Sequence, residues 1–170
     1  MKIKNIMNRN LIKICAGVLC TCVAVAVLAQ PKPVPASSSE AAIKKAVLEA
    51  NDQLSKAANS MDVDAFFKYF VDGDQCVIIR NGTVFKTRQE AMDAVRRGYM
   101  GVAKVDRRFI DPQVTVISPD VALLASEGTV SATLTDGRNM DARFAVSLVF
   151  VLRDGQWKVL HGHYSMPVKI

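Results

Sequence analysis

The chain closes on Asp154-Gly155-Gln156-Trp157-Lys158-Val159-Leu160-His161-Gly162-His163-Tyr164-Ser165-Met166-Pro167. The Asp-Gly pair favours the positive φ angles of a two-residue hairpin loop, and β-branched and aromatic residues flank it on both sides. A two-residue loop here pairs Trp157 with Leu152, Val159 with Phe150, His161 with Leu148, His163 with Val146 and Ser165 with Phe144. Side chains alternate along a strand, so this register predicts that both histidines of the chain face one apolar surface with Leu148. The other face then carries Ala145, Ser147, Val149, Val151, Leu160 and Tyr164. Both faces are apolar and need a cover, and the helices of so short a chain can cover only one. The other is expected to meet a second copy of the chain.

Upstream, Arg108 to Ser118, Val121 to Thr135 and Arg143 to Arg153 read as further strands, separated by turns at Pro119-Asp120 and Asp136-Gly137. Treating Asp136-Gly137 as another two-residue loop pairs Glu127 with Val146 and Thr129 with Phe144. Glu127 would then lie two strands from His163 on the same face, as a general base, a ligand anchor, half of a metal site or a structural pair. Tyr69 and Ser165 are further polar candidates near that pocket.

Before the strands the period changes to three and four. Ile43, Val47, Ala50, Leu54, Ala57 and Met61 predict a long amphipathic helix, with Ser37 and Glu40 spaced as a capping box. Asp62 caps a second short helix carrying Phe66, Phe67, Phe70 and Val71 on its buried side. A small hairpin turns at Asn81-Gly82, and Thr87 with Glu90 opens a third helix bearing Ala91, Met92, Val95 and Tyr99. Three helices followed by a meander predict an α+β domain, helices packed on one face of a curved antiparallel sheet.

Order of elements and closing motif together resemble the nuclear transport factor 2-like superfamily and its SnoaL-like domains. The final strand is most similar to the association-domain group of calcium/calmodulin-dependent protein kinase II, with its Trp, His-x-His-x-Ser and Pro pattern. The resemblance implies a cone-shaped fold with a pocket at its open end and dimers or rings formed through the outer sheet face. It leaves open a binding or scaffold protein holding a small, largely apolar molecule, or an isomerase- or cyclase-type enzyme using His163 with Glu127. Two departures bear on chemistry. Isomerase-like members carry an acid on the first strand, where this chain has Val77, Ile78, Ile79 and Arg80. The kinase association domain forms an anion pocket from inner-strand arginines, where this chain has Gly128 and Leu148; Arg143 or Arg80 could substitute.

The chain has 170 residues and 50% apolar composition, enough for one core. Lys2, Lys4, Arg9 and Lys13 precede the uncharged run Ile14 to Leu28, and Val27 and Ala29 fit a small-residue cleavage pattern before Gln30. The expected organisation is a signal peptide over 1–29, a Pro/Ser-rich linker over 30–39 and the folded domain over 40–170, with a secreted or periplasmic location. An uncleaved membrane anchor is the alternative, and a lipid-carrying Cys20 or Cys22 fits less well, because apolar residues follow both. Without the leader, 18 basic residues face 16 acidic ones, so the charge offers no footprint for nucleic acid. Of four cysteines only Cys76 lies beyond the leader, which excludes an intramolecular disulfide and leaves a buried thiol or a nucleophile as readings. No cofactor is expected. His161 and His163 stand about 7 Å apart as strand neighbours, too far for easy chelation without a third ligand.

Overall fold

The computed structural model describes residues 39–167, all within one compact unit. The leader, Ser37 and all but the last residue of the linker lie outside them. The first helix, α1 (Glu40–Asn59), starts where the Ser39 hydroxyl accepts from the Ala42 amide, and it buries Ile43, Val47, Leu54 and Ala58 along one stripe. Asn51 shares that stripe, and its Oδ1 has no partner among the described residues. Helix α2 (Val63–Phe67) is capped by Asp62, whose carboxylate accepts from Ala65. Phe66 meets Phe67 and Phe70 edge to face at 5.1 and 5.0 Å between ring centroids, and Phe67 lies tilted against Phe70 at 4.7 Å. Helix α3 (Arg88–Tyr99) begins at Thr87, and Glu90 reaches back to the Lys86 amide. Arg88 donates twice to the Phe67 carbonyl, which ties α3 to the end of α2.

Strands β1 (Val77–Arg80), β2 (Thr83–Phe85), β3 (Val102–Ser118), β4 (Val121–Leu134), β5 (Asn139–Arg153) and β6 (Gln156–Ser165) form one sheet in the order β2-β1-β6-β5-β4-β3. Three helices are present as expected, but the sheet is mixed rather than purely antiparallel, because β1 runs parallel to β6. Asn81-Gly82 and Asp154-Gly155 adopt positive φ in both hairpin loops, the conformation their residue types favour. Phe144, Val146, Leu148, Phe150 and Val159 point from the sheet onto the helices and close the core with Phe67, Phe70 and Leu54.

Two local irregularities overturn the expected register. Trp157 pairs with Leu152 and Val159 with Phe150 as anticipated, but His161 then pairs with Val149, Gly162 with Leu148, His163 with Ser147, Tyr164 with Val146 and Ser165 with Ala145. Leu160 is the extra residue of a β-bulge. Val159 is held from its other side by the segment after α2, accepting from the Val71 amide and donating to the Tyr69 carbonyl. Beyond the bulge β1 replaces that segment as the neighbour of β6. The second irregularity is the loop between β4 and β5. Three residues, Thr135 to Gly137, separate the facing pair Leu134 and Arg138; the Leu134 amide donates to the Arg138 carbonyl, the Gly137 amide donates to the Leu134 carbonyl, and Gly137 has positive φ. Glu127 therefore pairs with Ala145 and Thr129 with Arg143. A one-residue slip moves every following side chain to the opposite face.

Candidate functional site

The residues singled out from sequence do not meet inside the cone. His161, His163, Ser165 and Glu127 project from the sheet face turned away from the helices. His163, Ser165 and Glu127 are exposed, and Glu127 is held by Arg143 at 2.6 Å. The expected shared face for His163 and Glu127 is present, but it is the outer one, so neither faces the cone. Leu148 is fully buried core. Tyr69 lies past the end of α2, beside Trp157, in a surface cleft at another part of the domain. Among the described residues no group of His, Cys, Asp and Glu could hold a metal ion.

What does line the cone is a different set. A small inner chamber of about 80 Å³ is walled by Phe66, Phe67, Phe70, Ile78, Phe85 and Phe144. An outer chamber of about 240 Å³ is walled by Val102, Val105, Val130, Ala132, Leu134 and Met140. Five residues line both: Arg80, Gly98, Tyr99, Arg107 and Met166. They form a neck between two apolar rooms. Tyr164 joins the inner chamber, on the face opposite to the one expected for it, because the bulge turned it inward.

Each polar group at the neck is positioned by backbone. Arg80 ends β1, beside Tyr164 in the parallel register and opposite Thr83 across the hairpin. Arg107 lies in the inward row Val105, Arg107, Phe109 of β3. Asn59, the last residue of α1, clamps it: its amide nitrogen donates to the Arg107 carbonyl at 3.0 Å and its oxygen accepts from the Arg107 amide at 2.8 Å. The Tyr99 hydroxyl donates to the Ala58 carbonyl, so α1, α3 and β3 are fastened together at this point. Phe144 crosses the sheet at Gly128, where any Cβ would strike the Phe144 ring and stand 2.6 Å from the Arg108 carbonyl oxygen.

The electrostatics are one-sided. Among the described residues neither the Arg80 nor the Arg107 guanidinium has a carboxylate partner. Burial, and then the like charge of Arg107, pull the Arg80 pKa below its ordinary value, although the group stays protonated. Burial pushes the Tyr99 and Tyr164 hydroxyls up, so both stay neutral hydrogen-bond donors. Among the described residues no carboxylate, imidazole or thiol lines the inner chamber. Asp141 reaches only the outer chamber's wall, where its carboxylate accepts from Ser131. Cys76 is sealed in the core, its thiol pushed up to about 11 by burial, which makes it a poor nucleophile.

Sequence reading missed Arg107, Tyr99 and Tyr164 as site residues and left Arg80 as a substitute. Arg107 had a signal: it interrupts the apolar period-two row from Val105 to Phe109.

A curved six-stranded sheet wrapped on three helices around an open-ended pocket is the architecture of the nuclear transport factor 2-like superfamily. The SnoaL-like domain model matches residues 47–169, and the chain belongs to that family. Solved structures agree on the fold. A nuclear transport factor 2-like protein from Salmonella enterica superposes with a TM-score of 0.68 at 17% identity, covering 76% of this chain and 94% of that one. A candidate calcium/calmodulin dependent protein kinase II association domain from Xanthomonas campestris gives 0.64 at 17% identity, covering 83% and 97%. The hexachlorocyclohexane dehydrochlorinase LinA-type3 from Novosphingobium barchaimii gives 0.64 at 13%, covering 75% and 88%. No curated protein sequence matches the chain.

Proposed function

We propose that this domain is a small-molecule-binding protein whose cone holds an oxyanion with an apolar body. The observation that carries the reading is the neck, where two unpaired, half-buried arginines face a chamber of apolar walls. Two like charges drawn together out of water raise the energy of the empty protein, and an anion between them relieves that cost. The Tyr164 hydroxyl adds a donor in the inner chamber, while that of Tyr99 is engaged with the Ala58 carbonyl. This composition suits recognition better than proton abstraction, because a general base is missing from the inner chamber.

The reading also includes export and self-association, the first from the leader and the second from the outer face of β4 to β6. Export has one direct consequence, an exported chain that begins at Gln30.

Isothermal titration of simple carboxylates with the purified domain tests the anion site. Replacing Arg80 by Gln should weaken binding at least tenfold while raising the stability of the ligand-free protein by about 0.5 to 1 kcal/mol, the trade expected of a functional charge. Unchanged affinity, or a ligand-free variant that melts earlier, would refute the assignment.

A further inference from the structure

The geometry of the neck says more about the ligand than its charge. We infer that the cone is a two-chamber site for oxyanions that carry two unequal apolar arms, a stub of two or three carbons for the inner chamber and a ring-sized group for the outer one, with Gly98 setting the width of the passage. The inference rests on the anion reading above.

The volumes decide which arm goes where. A protein cavity that takes benzene measures about 150 Å³. The inner chamber, at about 80 Å³, is too small for a ring and suits a short alkyl group. The outer chamber, at about 240 Å³, accommodates a ring. Both are walled mainly by hydrocarbon, the Asp141 carboxylate of the outer one being engaged by Ser131, while the guanidiniums stand between them, so the charge of a bound molecule belongs in its middle and not at its end. A long single tail fits neither room.

Gly98 is the eleventh of the twelve residues of α3, where glycine is a poorer helix former than alanine. Its backbone is not in the left-handed region, and a Cβ there would meet only Arg80 Nη1, at 3.9 Å. Nothing in the fold therefore requires glycine. What its missing side chain leaves is open space beside the Arg80 guanidinium, at a residue that lines both chambers.

The series phenylacetate, 2-phenylpropanoate, 2-phenylbutanoate and 2-phenylhexanoate keeps ring and carboxylate constant while the second arm grows. In the unmodified protein, titration calorimetry should show affinity rising about fourfold per added carbon to the butanoate, then falling at least tenfold at the hexanoate. Gly98→Ala should shorten the tolerated arm by one carbon. Gly98→Leu, shown folded by its thermal melt, should weaken the branched members at least tenfold and phenylacetate less than threefold. Affinity that climbs through the hexanoate, or a Gly98→Leu protein that binds the branched members as tightly as the parent, overturns the two-chamber inference and leaves the anion site standing. Failure of every member, phenylacetate included, to bind the unmodified protein overturns the anion reading on which it rests.

Discussion

Arg80 and Cys76 lie four residues apart and illustrate two outcomes of burial. The thiol is sealed among core side chains, and its neutral form is favoured in the folded state, with a pKa pushed from 9.0 to about 11. Tyr99 and Tyr164 are shifted in the same direction, burial being the largest cause for each. A raised folded-state pKa stabilises the fold below the unfolded value and loses that contribution as pH climbs through the folded one. Stability should therefore be level from pH 7 to about 9 and decline as pH rises through about 11, as read by urea midpoints at successive pH values. Arg80 differs because its charge persists at every pH at which the fold is stable, so burial there leaves an unmet demand for a counter-charge. A decline already complete by pH 8.5 would contradict these assignments.

At the scale of elements, one inserted residue in β6 decides what faces the cone. Leu160 separates Val159, which pairs with Phe150, from His161, which pairs with Val149. Up to that point the strand is held by the segment after α2, and beyond it by β1. The bulge is the join between two parallel neighbours of different origin. Removing Leu160 should make the ladder regular while keeping His161 opposite Val149, His163 opposite Ser147 and Tyr164 opposite Val146, so that only the local bend of the strand is lost. The variant should keep Tyr164 in the cone and lose about 1 to 3 kcal/mol, because β6 must then change neighbours without the bend that the bulge supplies. A shortened protein with the parent's melting temperature and near-ultraviolet spectrum would show that the bulge is dispensable.

At the scale of the whole molecule, the outer sheet face stays uncovered among the described residues. Leu123 and Val149 are half-buried at its centre, with exposed Ala125, Ala145 and His163 around them. Our proposal is that a second copy covers this face. Replacing Val149 by Asp should then give a monomer in size-exclusion chromatography with light scattering, because a lone carboxylate in a dry interface costs several kcal/mol. An unmodified domain that is already monomeric would remove the basis for it. The neck opens on the other side of the sheet, so the monomeric variant should still bind carboxylates.

The element order, caps, hairpin turns and α+β class were readable in the residues themselves, because helix periods, Asx-type caps and Asn-Gly or Asp-Gly loops are local properties. Ser39 rather than Ser37 caps α1, a shift of two residues within the same local code. The family resemblance was legible for the same reason, in the spacing of the closing strand. The candidate site was not. Which face His163 or Tyr164 presents depends on the Leu160 bulge, which follows the point where Val159 bonds to Tyr69 and Val71, some ninety positions earlier in the chain. Glu127 turned outward because the loop before β5 holds three residues instead of two. Arg80 and Arg107 meet only once β1 and β3, at different distances from β6 in the sheet, curve toward each other over α1 and α3. Strand parity is exact only while the ladder is unbroken, so a single inserted residue erases what alternation predicts, and only the packed structure says where the insertion falls.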